Sequence, residues 1–165
     1  MSVIAQRAEL DLWLCDFAAV DSSSGKVNML GAGVRVVGFD PIQGVTTRFV
    51  VAGRVALPSE LAPVEVPVEL GLYDESGVVS LGATPEPQAV RLAQITKFEK
   101  PNVVGQPSLP GDVPSQHVLT LEVAGLPLQP GRSYSWQLRV DGDDDRAVRY
   151  TFMVPGLAGP RIVQG

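Results

Sequence analysis

Hydrophobic and polar residues alternate with a period of two along much of the chain, the pattern expected of half-buried β-strands. In the first such stretch, Leu10, Leu12 and Leu14 fall on one face and are expected to point into a core. A serine-rich segment with turn chemistry follows, and the alternation then resumes. The pattern therefore predicts a β-hairpin over residues 9–39.

Further alternating stretches continue this pattern. They predict strands at residues 45–58, 64–74, 78–83, 87–98, 117–126, 133–140 and 147–155. Pro67 lies inside the second of these strands, where a central position would lose a ladder hydrogen bond, so this strand is predicted to lie at a sheet edge. No segment shows a sustained apolar stripe of helical period. The chain is therefore predicted to be all-β, with roughly eight to ten strands and very little helix.

Two segments lack the alternation. Residues 100–116 carry four prolines and two glycines and are predicted to form a long loop. Loops of that length in compact domains are usually functional or mobile. Residues 155–165 are predicted to be a C-terminal tail. Because the rest shows no internal repeat, linker or charge boundary, a single β-sandwich domain is predicted over residues 1–154.

One local motif makes the architecture more specific. The segment LQPGRSY ends at Tyr134 and is followed by the alternating apolar residues Trp136, Leu138 and Val140. It resembles the tyrosine corner of immunoglobulin-like and fibronectin type III sandwiches, where an early tyrosine hydroxyl bonds back to the upstream backbone. The resemblance implies an immunoglobulin-like antiparallel β-sandwich with a structural role for Tyr134. A Pro-Gly turn before an unrelated strand is the alternative.

The composition narrows the class of partner. Apolar residues make up 45% of the chain and charged residues 19%, which excludes an intrinsically disordered protein. The net charge of -5 lacks the basic footprint that nucleic acid or an anionic membrane requires. No apolar run approaches the roughly 18 to 20 residues of a membrane-spanning helix. The expected partners are other proteins or further copies of this chain.

The chain has one cysteine and one histidine, which limits its chemistry. Cys15 has no partner for a disulfide, and its apolar neighbours favour a small buried side chain over a reactive thiol. A structural zinc site would need about four cysteine or histidine ligands. Glu9 and Asp11 interrupt the N-terminal apolar stretch, so it does not fit an export signal. The expected location at synthesis is the cytoplasm.

Three motifs invite a functional interpretation that their spacing does not support. The acidic run at residues 141–145 suggests Ca²⁺, but it lacks the glycine and glutamate positions of an EF-hand, and Asp-Gly favours a hairpin tip. The segment around Lys26 lacks the first glycine and the hydroxyl of a phosphate-binding loop. His117 has no accompanying nucleophile motif. We predict no metal, no cofactor and no catalytic residue.

The opening of the chain carries a second resemblance. The sequences LWLCDFAAV and GKVNMLGAGVRVV are similar to the opening of an uncharacterised bacterial and phage family, a domain of unknown function. That family has a Cys-Asp pair, a short turn and a Gly-Lys-x-Asn-x-Leu-Gly motif. The segment YDESG, which begins at Tyr73, and the closing aromatic strand also fit. The resemblance implies no activity and brings no catalytic residue.

These observations favour a non-enzymatic structural or interaction module, an accessory subunit of a larger assembly. A phage capsid decoration or tail accessory protein is one concrete form, argued by analogy with small sandwiches in such roles, and would add a virion location. The expected contact residues are apolar residues of the loop and tail, Leu109, Val113, Leu157, Ile162 and Val163. The alternative is a small-molecule or carbohydrate-binding module of a bacterial cytoplasmic protein, with its site at the long loop and the acidic tip.

Overall fold

The computed structural model describes residues 2–82, 86–101 and 113–157. Strands make up 54% of this part of the chain and helix 6%, which confirms the predicted all-β class. The helical part consists of α1 (Val3–Arg7) and one 3-10 turn (Ser59–Leu61). Neither of these helices is long and apolar enough to cross a membrane.

Fourteen strands lie in the described part of the chain, and nine of them have four or more residues. In chain order they are β1 (Glu9–Cys15), β2 (Phe17–Val20), β3 (Val27–Leu30), β4 (Phe39–Asp40), β5 (Val45–Thr46), β6 (Phe49–Leu57), β7 (Val64–Asp74), β8 (Gly77–Val78), β9 (Ser80–Leu81), β10 (Gln88–Ala89), β11 (Arg91–Phe98), β12 (Ser115–Val123), β13 (Ser133–Val140) and β14 (Val148–Met153). The longer strands account for the number expected from the sequence. The remainder are two-residue pairings.

Two antiparallel sheets carry the fold. One has the order β1-β6-β12, and the other has the order β11-β7-β13-β14, with β8 also paired to β7. Of the seven long strands in these sheets, the first, second and fifth form one sheet and the others form the second. An immunoglobulin constant-type sandwich divides its strands as ABED and CFG. Here the fourth strand, β11, pairs with the third instead of joining the first sheet.

The core lies between the two sheets. Leu12 and Leu14 of β1 are buried and Leu10 is half-buried, as the period-two alternation predicted. The sheets approach closely at Gly53 in β6, where an added Cβ would lie 3.2 Å from Cδ2 of Leu138 on the opposite sheet. A side chain at this glycine would therefore require Leu138 and Leu119 to shift by a few tenths of an ångström.

The prediction of one hairpin over residues 9–39 is wrong in its strand pairing. β1 pairs with β6, which places Leu14 opposite Val51, and the hairpin that forms is the shorter one between β2 and β3. The chain leaves the first sheet at Asp16, whose carboxylate lies over Gly31. An added Cβ at Gly31 would lie 2.0 Å from Oδ2 of Asp16, and this glycine has a φ of 64°. Only glycine therefore fits at this position beside Asp16.

The strand β7 is central, so the edge position predicted from Pro67 is wrong. It pairs with β11 on one side and β13 on the other, and the ladder with β13 ends at Val68 and Val140. Just beyond that pair, the carbonyl of Pro67 accepts a hydrogen bond from the Asp141 N–H at 2.8 Å. In an antiparallel pair the N–H and C=O of one residue point to the same side. The missing N–H of Pro67 therefore faces the end of β13, where the chain turns away.

Candidate binding surfaces

Tyr134 is buried at the start of β13 and ties this strand to the turn before it. Its hydroxyl accepts a hydrogen bond from the Gln129 N–H at 2.9 Å and donates to the Gln129 carbonyl at 3.4 Å. Its ring stacks on Phe152 with the centroids 5.9 Å apart. Gly131, at a φ of 81°, donates its N–H to the carbonyl of Val154 at 2.8 Å. Neutral hydrogen bonds thus hold this corner.

An open cleft of about 470 Å³ lies beside the corner, and we call it the corner cleft. It is lined by Tyr73, Asp74, Glu75, Gly131, Arg132, Ser133, Tyr134, Ser135 and Thr151. The strand register explains how three of these side chains meet, since Ser135 of β13 lies opposite both Tyr73 of β7 and Thr151 of β14. Side chains directly opposite one another share a face, with Cβ atoms about 4.5 to 5.5 Å apart. The outer face of this sheet, which contains β7, β13 and β14, therefore presents a row of hydroxyl-bearing side chains.

The ring of Tyr73 lies against the sheet instead of standing away from it. An added Cβ at Gly71, two residues earlier on the same face, would lie 2.9 Å from Cε2 of the ring. Glycine at this position leaves the space that the ring occupies. Because Tyr73 is only half-buried, the rest of its surface faces solvent at the cleft.

The aliphatic hydroxyls of the corner cleft are free of protein partners. Within the described residues, those of Ser133, Ser135 and Thr151 make no hydrogen bond to another protein group. Each aliphatic hydroxyl can donate one hydrogen bond and accept two. The cleft volume lies within the roughly 300 to 1,000 Å³ of typical ligand pockets. The cleft thus combines an aromatic surface with several available donors and acceptors.

The charged groups at the rim of the cleft are engaged within the protein. Arg132 forms an ion pair with Glu75 at 3.3 Å. Oδ1 of Asp74 accepts hydrogen bonds from the hydroxyl of Ser76 at 2.6 Å and from its N–H at 2.8 Å. These bonds, the hydroxyl bond foremost, lower the pKa of Asp74 below its ordinary value. Two carboxylates against one guanidinium leave the rim slightly acidic.

A second surface of opposite character lies on the β2–β3 hairpin. Phe17 and Leu30 are directly paired across the two strands, and they are 44% and 68% exposed. Since directly opposite side chains share a face, they form an apolar pair in contact with water. Val20 at the far end of β2 is also exposed. The sequence analysis placed strands here but did not identify this surface.

The contact residues expected from the sequence are only partly described. Leu109, Ile162 and Val163 lie outside the described residues. Val113 is half-buried shortly before β12, and Leu157, after β14, is 62% exposed. These two residues therefore belong to separate segments that flank different sheets.

The acidic run forms a hairpin tip. Asp141 and Gly142 have φ values of 53° and 70°, and the Asp143 N–H donates to the carbonyl of Val140 at 3.1 Å. Positive φ at both central residues is the type I′ geometry that Asp-Gly favours. Oδ1 of Asp143 also accepts a hydrogen bond from the Asp145 N–H at 3.1 Å. The side chain of Asp143 is therefore part of the turn.

Arg139 attaches this tip to the sheet. Its guanidinium pairs with Asp144 and, at 2.7 Å, with Glu69 on β7. The hydrogen bond to Asp144 is the main cause of the raised pKa of Arg139. Among the residues that the structure describes, no group of three or more His, Cys, Asp or Glu side chains is placed to hold a metal ion.

His117 and Cys15, the single histidine and the single cysteine of the chain, pack against neighbouring strands. His117 packs edge-on against Phe98 at 6.3 Å between centroids, and its Nε2 lies 3.2 Å from Nε2 of Gln94. Burial lowers the pKa of His117. Cys15 is fully buried, and its thiol donates to the Val50 carbonyl at 3.6 Å. Burial is the main cause of the raised pKa of this thiol.

Comparison with known proteins adds little to this description. No family model and no curated protein matches the chain. Among solved structures, the crystal structure of a β-glucosidase from Listeria innocua in complex with gluconolactone resembles 90% of the chain at 9% identity, with a TM-score of 0.44. The chain spans 16% of the length of that protein's chain. A likeness at this level carries no argument about this protein, and the resemblance of its opening to an uncharacterised family stays a prediction.

Proposed function

We propose that this protein is a non-enzymatic interaction module, an accessory subunit of a larger assembly, with the β2–β3 hairpin as its main protein contact. The observation that carries the proposal is the apolar pair Phe17 and Leu30, which is exposed to water on the β2–β3 hairpin. Burying apolar surface stabilises a complex by about 25 cal/mol per Å². Clustered exposed apolar side chains on small proteins commonly mark contact sites.

The C-terminal segment adds a second contact in this proposal. Leu157 is 62% exposed after β14. Leu109, Ile162 and Val163 enter the proposal from the sequence alone, as apolar residues of the loop and tail. A phage capsid decoration or tail accessory protein remains one form of such a subunit, and a virion location rests on that analogy.

The hairpin contact is tested with the double variant Phe17→Ser and Leu30→Ser. The measurement is the mass of the purified protein, alone and with any stoichiometric co-purifying partner, by sedimentation and native mass spectrometry. We expect the variant to weaken association by at least roughly tenfold, because two apolar side chains leave the interface. The matched control is Ile95→Ser, which replaces a 72% exposed apolar side chain on a different strand, β11, and should leave association unchanged.

The tail is tested by deletion of residues 156–165. Assembly should weaken while the thermal midpoint of the domain stays nearly constant. The proposal fails if the wild-type protein is monomeric at all concentrations and has no stoichiometric partner. It also fails if the hairpin variant assembles with full affinity.

The alternative function, a ligand-binding module, was expected at the long loop and the acidic tip, and residues 102–112 of that loop lie outside the described residues. A different site supports it. At the tip, Oδ1 of Asp143 belongs to the turn and Asp144 pairs with Arg139. The corner cleft is the observation that favours this second function.

A further inference from the structure

We propose that the corner cleft binds a neutral carbohydrate, either a single sugar ring or the end of a longer chain. The inference rests on the side chains of the cleft and is independent of the protein contact proposed for the hairpin. Phe17 and Leu30 do not line the cleft. Failure of one proposal therefore leaves the other intact.

The first argument is the aromatic surface. A sugar ring has an apolar face of C–H groups, which packs on the face or edge of an aromatic ring, and tyrosine combines such a surface with a polar end. Tyr73 lies against the sheet over Gly71 and keeps part of its surface exposed at the cleft. Its position is set by the strand below it, so little side-chain freedom would be lost on binding.

The second argument is the set of free hydroxyls. Ser133, Ser135 and Thr151 have no protein partner among the described residues and project from neighbouring positions on β13 and β14. A sugar hydroxyl both donates and accepts hydrogen bonds, as each of these hydroxyls does. Several such groups beside one aromatic ring match the mixed surface of a sugar.

The third argument is charge, which separates a neutral sugar from a charged ligand. Asp74 and Glu75 stand at the rim, and Arg132 is already paired with Glu75. A phosphate or carboxylate ligand would approach two carboxylates and would have to displace this ion pair. A neutral polyhydroxyl ligand needs no countercharge and can accept a hydrogen bond from the guanidinium.

The experiment is a titration of the full-length ¹⁵N-labelled protein, followed by amide chemical shifts. The probes are glucose, galactose, mannose, N-acetylglucosamine, cellobiose and maltose, each added to roughly 50 mM, which detects millimolar affinities. At least one sugar is expected to shift amides of residues 73–75 and 131–135 together with Thr151. Glucose 6-phosphate is the charged comparison and should bind more weakly than glucose.

Two variants test the chemistry of the site. Tyr73→Ala should weaken the affinity for the best sugar by roughly tenfold, whereas Tyr73→Phe keeps the ring and should retain most of it. Thr151→Val should weaken it by roughly two- to tenfold through one lost hydrogen bond. The matched control is Thr120→Val on β12, another exposed strand threonine that does not line the cleft, which should change nothing.

The proposal is overturned if none of the sugars shifts the cleft amides. It is equally overturned if the shifts map elsewhere, or if Tyr73→Ala binds as tightly as the wild type while retaining its thermal midpoint. Tighter binding of glucose 6-phosphate than of glucose would replace the neutral-sugar proposal with an anion site.

Discussion

The two ends of β13 are both tight turns, but different chemistry holds them. At the start of the strand, the neutral hydroxyl of Tyr134 bonds to the backbone of Gln129 in a buried position. At its end, the guanidinium of Arg139 reaches Glu69 and Asp144 at the surface. A buried neutral hydrogen bond is little affected by salt, whereas a partly exposed ion pair is screened.

The two ends also differ in what lies beside them, the corner cleft at one end and the hairpin tip at the other. The neutral corner borders the cleft and fixes the start of the strand that carries Ser133 and Ser135. The ionic end holds the hairpin tip, where Oδ1 of Asp143 accepts hydrogen bonds within the turn and Asp144 pairs with Arg139. Within the part of the chain that the structure describes, the neutral end of β13 thus borders the partner-free hydroxyls of Ser133, Ser135 and Thr151.

The largest effect is expected at the neutral end. Tyr134→Phe removes the acceptor of the Gln129 N–H, so the free energy of unfolding should fall by about 1 to 3 kcal/mol. The matched control is Tyr150→Phe, because the Tyr150 hydroxyl is buried without a protein partner among the described residues. That substitution should be close to neutral. Urea denaturation measures both, and equal losses for the two variants would remove the special role of the corner.

A smaller effect is expected at the ionic end. Arg139→Met leaves the carboxylate of Glu69 without its partner, and with side chains about one-fifth exposed the loss should be about 1 to 2 kcal/mol. The more exposed pair of Arg48 and Glu122 is the control, and Arg48→Met should cost less stability than Arg139→Met. Denaturation in low and high salt measures the difference. The loss at Arg139 should shrink in high salt, while the loss at Tyr134 should not, and the opposite result would reverse the assignment.

Replacing the glycine in the turn at either end of β13 should reduce stability by a similar amount. Gly131 and Gly142 both have positive φ, at 81° and 70°. Neither would place an added Cβ in a steric clash, so strain alone is expected to matter. Gly131→Ala and Gly142→Ala should each cost about 1 kcal/mol. The thermal midpoints of the two variants measure these losses. A much larger loss for one variant would contradict the expectation that backbone strain alone acts at both turns.

The smallest effect on stability is expected from protonation of His117, which lies on β12, away from both ends of β13. Burial lowers the pKa of His117, so the folded protein binds fewer protons than the unfolded chain between the two pKa values. This contribution to stability is present above the unfolded pKa near 6.5 and is lost as the pH falls toward the folded pKa. The His117→Gln variant should lose stability less steeply than the wild type as the pH falls from about 7 to 5. Identical slopes for the two proteins would contradict this account of the histidine.

Local chemistry explains what could be predicted from the sequence. The alternation of Leu10, Leu12 and Leu14 marks a buried face because strand geometry has a fixed period, whatever the strand pairs with. The Asp-Gly turn at residues 141–142 is similarly local, since positive φ is a property of the residues themselves. The resemblance to a tyrosine corner implied an upstream backbone partner for Tyr134, and this partner, Gln129, lies only five residues away.

Pairing was beyond the reach of these patterns. Pro67 suggested an edge strand, yet β7 is central. The sheet tolerates the proline because the missing N–H of Pro67 falls just past the last residue pair between β7 and β13. The prediction of a hairpin over residues 9–39 was wrong because β1 pairs with β6, which follows the short hairpin of β2 and β3 in the chain. Which strands become neighbours depends on the shared core and not on local propensity.

The sequence by itself determined the all-β class, the positions of most strands and the chemistry of the tight turns. Only the tertiary structure decided which side chains meet. Tyr73, Ser135 and Thr151 are distant in the chain and form the floor of the corner cleft because three strands align in register. Alternation states which face of a strand is buried, but register sets which residues lie opposite one another, and register is a property of the assembled sheet.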